Sequence, residues 1–162
     1  MSATLSGSYR GWMENDTLKR TREIINEHPF VAGLSPRALD RLSAYAHRAL
    51  LRPGHRLFVE GGRADRFWLL GDGEVELSLT TADGSVSIDR LGDGDVLGWS
   101  WLFPPYRWHF DAVAVRPTQV VEFNGTGVRR LCDDDPEIGY QLFHRFLDVV
   151  VRRMQATRMR LT

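Results

Sequence analysis

Gly71-Asp72-Gly73-Glu74-Val75-Glu76-Leu77-Ser78-Leu79-Thr80-Thr81-Ala82-Asp83-Gly84 is the stretch that decides what kind of fold this chain adopts. Over residues 74–79 polar and apolar side chains alternate strictly, which sets one face of an extended strand in a core and the other in water. Ala82-Asp83-Gly84 then reads as a hairpin turn, with a glycine free to take the positive φ that such turns demand. The same texture continues outward on both sides, over residues 49–123. Short runs such as Leu50-Leu51, Arg56-Leu57-Phe58-Val59, Phe67-Trp68-Leu69-Leu70, Ser85-Val86-Ser87-Ile88, Val96-Leu97, Ala112-Val113-Ala114-Val115 and Gln119-Val120-Val121-Glu122-Phe123 recur. Pro53-Gly54, Gly61-Gly62, Gly92-Asp93-Gly94 and Arg116-Pro117 punctuate them. About seven or eight short strands at this spacing predict a sandwich or roll.

Helical periodicity brackets the strands. Leu18, Ile24 and Ile25 predict a short helix over residues 16–27, following a polar arm. Ser35-Pro36 supplies an N-cap and a proline at the first helical position. Leu39, Leu42, Tyr45 and Ala46 follow at helical spacing, so that helix is expected to run to about His47. Helix returns over residues 127–132, and Asp133-Asp134-Asp135-Pro136-Glu137 then starts a long one, with acids at its positive end. On a wheel, Ile138, Leu142, Phe143, Phe146, Leu147, Val149, Val150, Val151 and Met154 cover an arc of roughly 220°, against about 100° for contact with one core. One apolar face is expected to pack on the roll and the other on a second copy. Leu142, Phe143, Phe146, Leu147, Val150 and Met154 are the expected dimerisation residues. The organisation expected is an arm and short helix over 1–27, a roll over 28–132 and a dimerisation helix over 133–162.

Composition narrows the function classes. Of 162 residues, 43% are apolar and 26% charged, the balance of one globular domain. The 21 basic and 21 acidic side chains cancel, which argues against a non-specific nucleic-acid binder. Lys19 is the only lysine, a bias that fits a GC-rich bacterial genome. Cys132 stands alone, so neither an internal disulfide nor a cysteine-based metal site is expected. No apolar run approaches the ~20 residues of a membrane span, and no signal-peptide order opens the chain, so a cytoplasmic location is expected. His28, His47, His55, His109 and His144 show no i, i+4 pairing. There is no nucleophile elbow, and Gly71-Asp72-Gly73 lacks the lysine of a phosphate loop. Neither a metal nor a catalytic set is expected, and the chain is read as a non-enzyme; a cupin-like metalloenzyme is the disfavoured alternative.

Leu57-Phe58-Val59-Glu60-Gly61-Gly62-Arg63-Ala64-Asp65-Arg66-Phe67-Trp68-Leu69-Leu70, then Gly71-Asp72-Gly73-Glu74-Val75-Glu76-Leu77, then Leu91-Gly92-Asp93-Gly94-Asp95-Val96-Leu97-Gly98 occur in that order. With helices before and a short and a long helix after, this layout resembles the cyclic-nucleotide-binding domains of the catabolite activator protein and its Crp/Fnr-like relatives. The resemblance covers residues 28–161 and implies a mainly β fold with flanking helices: a double-stranded β-helix, or jelly roll, carrying a long C-terminal helix. It also implies a regulatory, ligand-sensing role. Transcription factors of the family continue into a helix-turn-helix domain. With the chain ending at the hinge, DNA binding by that route is not expected. The basic run Arg152-Arg153-Met154-Gln155-Ala156-Thr157-Arg158-Met159-Arg160 reads as a solvated helix end or as a contact for an acidic partner.

The ligand segment departs from the family. There, a glutamate after the equivalent of Gly98 holds the ribose, and an arginine further on meets the cyclic phosphate, helped by amides at a helical turn. Here the segment reads Gly98-Trp99-Ser100-Trp101-Leu102-Phe103-Pro104-Pro105-Tyr106-Arg107-Trp108-His109-Phe110-Asp111-Ala112. Trp99 replaces the glutamate. Counting forward puts His109 at the arginine position, and counting back from Ala114 puts Trp108 there. Asp111 within ~4 Å of a phosphate would cost on the order of 4 kcal/mol at an effective dielectric of about 20. The missing guanidinium forfeits about 2 kcal/mol more. Together these amount to a loss on the order of ten-thousandfold. The expected pocket and cassette residues are Gly98, Trp99, Ser100, Trp101, Arg107, His109, Phe110, Asp111 and Ala112, with no cofactor and with cyclic nucleotide a doubtful ligand. The rings either fill the roll or form a surface for a protein partner or an apolar small ligand. A cyclic-nucleotide sensor using Arg107 and His109 is the alternative reading.

Overall fold

The alternating stretch forms β4 (Glu74–Thr81), with Val75 and Leu77 buried and Glu74 and Glu76 at the rim; the expected alternation breaks where the register against β5 shifts, so that Ser78 is buried and Leu79 half-buried. It turns into β5 (Gly84–Gly92), Thr81 facing Gly84, whose φ is +117°. The structure is a computed structural model that describes residues 18–161, with side chains from Arg20 onward; the expected N-terminal arm lies outside them. Around this hairpin run α1 (Leu18–Glu27), a 3₁₀ turn (Pro29–Val31), α2 (Pro36–Ser43), β1 (Ala46–Leu51), β2 (Arg56–Phe58) and β3 (Arg66–Leu70). After it come β6 (Val96–Leu97), a second 3₁₀ turn (Ser100–Leu102), β7 (Asp111–Ala114), β8 (Thr118–Asn124), α3 (Gly125–Asp134) and α4 (Pro136–Arg160). The strands make two antiparallel four-stranded sheets, ordered β1-β8-β3-β6 and β2-β7-β4-β5, the expected jelly roll with flanking helices. Among the described residues no helix is long and apolar enough to cross a membrane.

One helix boundary differs from the expectation. α2 begins where the cap predicts, Ala38 N–H donating to Ser35 Oγ at 3.2 Å, but it stops at Ser43. Ala46 and His47 open β1 instead, paired with Phe123 and Glu122 of β8. The Asn124 N–H donates to the Tyr45 carbonyl at 2.9 Å and extends that ladder. A full row of interstrand bonds outweighs three or four apolar residues at helical spacing, because tertiary pairing overrides a weak local preference.

The roll is closed by aromatic packing. Phe67 stacks on Phe123 at 4.4 Å and on Trp101 at 4.7 Å, while Phe146 of α4 meets Phe67, Trp101 and Phe30 edge-on at 5.3, 5.4 and 4.8 Å. Such pairs add about 0.5–1.5 kcal/mol each beyond the area they bury. The N-terminus of α4 is held as its sequence predicts, Asp135 accepting from the Ile138 N–H at 3.4 Å. The same carboxylate takes Arg37 as a partner and lies 3.6 Å from Arg41, which joins α2 to α4.

This docking corrects part of the expected dimer face. Leu142 and Phe146 are each 1% exposed, because they sit with Ile138 and Gly139 on the stripe of α4 that covers the roll. The outward stripe is a different set: Tyr140, Phe143, Leu147 and Met154, with Val150 half-buried between them.

Candidate functional site

The segment between β6 and β7 folds back across the mouth of the roll. Gly98 leaves β6 with φ +95°, and the 3₁₀ turn follows at once. Beyond the cis Pro104-Pro105 bond, residues 106–108 run beside residues 61–64. Ala64 N–H donates to the Tyr106 carbonyl at 2.8 Å, Trp108 N–H to Gly62 at 2.9 Å, and Gly61 N–H to Trp108 at 2.8 Å. The Arg129 guanidinium lies 4.1 Å over the Tyr106 ring and donates to the Trp101 carbonyl at 2.6 Å. Once this extended stretch is fixed, alternation sends Arg107 outward and Trp108 inward, while His109 is exposed but still lines the small cavity beside Trp108.

Trp108 is packed inside the roll. Its ring stacks on Phe58 at 3.9 Å with an interplanar angle of 11°, leans on Trp68 at 6.0 Å, and is 6% exposed. A Cβ at Gly98 would come within 3.0 Å of the indole, so only glycine satisfies both the backbone angle and this contact. What remains is a cavity of about 20 Å³, walled by Phe58, Leu77, Leu97, Trp99, Phe110 and Arg153. That is room for one water, which needs roughly 10–15 Å³. Pockets for small organic ligands run to about 300–1,000 Å³.

The remaining expected site residues divide accordingly. Trp101 is wholly buried in the aromatic core, its Nε1–H donating to the Gly98 carbonyl at 3.1 Å, so it anchors the turn instead of lining a pocket. Ser100 is buried at the start of that turn, and Ala112 sits inside the roll between Phe58 and Leu77. Trp99 and Phe110 are half-buried at the edge of the cavity. Asp111 was expected to repel a phosphate from within. Instead it accepts from the Glu60 N–H at 2.8 Å and the Thr80 hydroxyl at 3.2 Å, away from the cavity lining. As packed here, the space beside Trp108 is smaller than a cyclic phosphodiester, and the carboxylate of Asp111 is not part of its lining. Nor do exposed tryptophans form a docking loop, since Trp101 and Trp108 are buried; the exposed ring is Phe103, which meets Phe143 of α4 at 5.8 Å.

Five residues of the lining lie outside the expected set: Phe58, Leu77, Leu97, Trp108 and Arg153. Phe58 forms the floor under Trp108. Arg153 reaches the cavity from α4, its guanidinium 5.0 Å over the Trp99 ring and donating through Nη2 to the Val96 carbonyl. Its Nη1 is buried without a hydrogen-bond partner, and burial pulls this guanidinium below its ordinary pKa despite the pull of Asp95 and Asp89. A signal was present: Arg153 follows Phe146 by seven residues and Val149 by four, on the inner stripe.

Burial pushes the Cys132 thiol up to about 11, helped by Asp133 and Asp135, which keeps it protonated and poorly nucleophilic. Among the described residues no three His, Cys, Asp or Glu side chains converge as metal ligands.

Comparison with known proteins agrees with this fold. The profile described as Cyclic nucleotide-binding domain matches residues 49–135. A curated relative from Mycobacterium tuberculosis, named as a CRP-like cAMP-activated global transcriptional regulator, is 26% identical over 136 residues, covering 83% of this chain and 59% of the relative. The chain thus spans about three fifths of that protein's length. A solved structure from Geobacter metallireducens GS-15 is 26% identical, with a TM-score of 0.75 over 82% of this chain and 97% of that one. The catabolite activator protein of Thermus thermophilus is 25% identical, with a TM-score of 0.65, and covers 82% of this chain and 61% of that one.

Proposed function

The chain belongs to the cyclic nucleotide-binding domain family, and from that premise we propose that it is a non-enzymatic regulatory or accessory module whose nucleotide seat is taken by its own Trp108. The observation that carries this reading is the indole stacked 3.9 Å from Phe58, with about 20 Å³ left beside it. A tethered ring pays none of the translational entropy that a free ligand loses on binding, so it competes at an advantage. The module's output then passes through its surfaces, to a second copy and to a protein partner. The outward stripe of α4 supports the first: Tyr140, Phe143, Leu147, Val150 and Met154 are spaced 3, 4, 3 and 4, the spacing of a coiled-coil seam. Phe103, packed against Phe143, extends that patch onto the loop.

Calorimetry with cyclic AMP and cyclic GMP tests the seat. Heats no larger than dilution are expected up to millimolar nucleotide. Saturable binding at micromolar concentration would overturn the proposal and favour the second reading, a sensor that expels Trp108 and meets the phosphate through Arg107 or His109. The relative named as cAMP-activated favours that alternative. Loss of such binding in Arg107→Ala would establish it.

A further inference from the structure

A second concavity lies between α4, the Pro29–Val31 turn and the β5–β6 connection, and it has a different chemistry from the filled seat. Its volume is about 190 Å³, and its walls include Phe30, Val96 and Val149. Five charged side chains line it: Asp95, Arg145, Asp148, Arg152 and Arg153. Three of them are spoken for. Asp148 and Arg152 pair with each other across one turn of α4 at 2.5 Å. Asp95 accepts from the Gly92 N–H at 2.9 Å and so caps the turn. The amides of Gly94 and Asp95 are used as well, donating to Leu70 and Gly92.

Arg145 and Arg153 are left with unused donors. Among the described residues Arg145 has neither an ion pair nor a hydrogen bond, and its Nη2 lies 3.0 Å from where a Cβ on Gly33 would stand. Arg153 spends Nη2 on the Val96 carbonyl and keeps Nη1 buried and unbonded. The two residues are eight positions apart, about 12 Å along the helix, and both line the groove. A guanidinium withdrawn from water without a partner is unfavourable, and its planar fork matches carboxylate or phosphate oxygens.

We infer that this groove is a binding site for a compact dianion, a phosphoryl group or a small dicarboxylate, held between Arg145 and Arg153. The inference stands apart from the Trp108 reading, because the groove and the seat are separate concavities. They share only Arg153, which lines both. An anion on Nη1 would fix the guanidinium over Trp99, so occupancy of the groove reaches the edge of the filled seat.

Inorganic phosphate and malonate, titrated into the purified protein against chloride at matched ionic strength, test this by calorimetry and by Trp emission. Both anions are expected to bind saturably and to compete. The stronger of the two identifies the group the site prefers, and either order supports the inference. Arg145→Gln is expected to weaken binding about tenfold to a hundredfold, the loss of one charge-assisted contact. Arg130→Gln, exposed on α3 and outside the groove, is expected to change nothing. The emission response is expected to vanish in Trp99→Phe while the heat of binding remains. Among the described residues Arg145 has no partner to lose, so its variant is expected to fold whether or not Arg153→Gln does. A response that chloride reproduces, no saturation by about 10 mM, or equal weakening by Arg130→Gln would overturn the site.

Discussion

Trp108→Ala removes an indole that is 6% exposed and stacked on Phe58. A ring of this size buries roughly 200 Å², which at about 25 cal/mol per Å² comes to about 5 kcal/mol. Aromatic-to-alanine truncations in other protein cores cost about 3–5 kcal/mol, including the void left behind. The two routes agree on a loss of about 4 kcal/mol. In a chain of this length each kcal/mol lowers Tm by about 2–4 °C, so a fall of roughly 8–16 °C is expected. Urea and thermal unfolding read this directly. The walls left behind, Phe58, Trp68, Leu77 and Leu97, are apolar and buried. Such voids stay dry and accept aromatic molecules, so millimolar indole is expected to restore part of the lost Tm in the variant and to leave the wild type unchanged. A loss below about 1 kcal/mol would show the ring is not packed as described. A variant indifferent to indole would show that the seat collapses, and with it the argument that Trp108 stands in a ligand's place.

Leu147→Asp is expected to convert a dimer to a monomer in sedimentation velocity with little change in the protomer's own unfolding, because Leu147 is 61% exposed; a dimer that persists would overturn the outward-stripe interface. Asp135→Ala is expected to lower stability in urea by about 2 kcal/mol, through the lost cap and the two arginine partners, and Asp135→Asn by less, because asparagine keeps the cap. His28 donates from Nε2 to the Leu70 carbonyl and accepts the Phe30 N–H on Nδ1, while burial holds its pKa below the ordinary 6.5. The unfolded chain therefore takes up a proton near pH 6.5 that the folded chain refuses. Stability is expected to fall as pH drops through 6.5 toward the folded value, by up to about 1.4 kcal/mol per unit, and to level below it. His28→Gln, compared with wild type across that window, should lack this component.

Much of the architecture was legible because it is written in local chemistry. Alternation over residues 74–79 and the glycine at 84 mark a hairpin wherever they occur, since φ and the side-chain period are properties of a few adjacent residues. The Asp135-Pro136 start of α4 and the Ser35-Pro36 start of α2 are legible for the same reason. The end of α2 was not, because Ala46 and His47 are held extended by β8, some seventy-five residues away in sequence.

The sequence by itself determined that the chain makes a jelly roll and that its ligand segment lacks the family's arginine in register. It also determined that the last helix carries more apolar surface than one core can cover. Only the tertiary structure decided which residue fills the seat. Forward and backward counting disagreed by one position, and in an extended segment one position exchanges inside for outside. The bonds from Gly61, Gly62 and Ala64 resolve it, turning Trp108 inward and leaving Arg107 in solvent and His109 at the cavity's rim. The same holds for α4, where both stripes are apolar and the fit of Leu142 and Phe146 against Phe67 and Trp101 selects the inner one. Composition states how much surface must be buried; shape complementarity between segments distant in sequence states where.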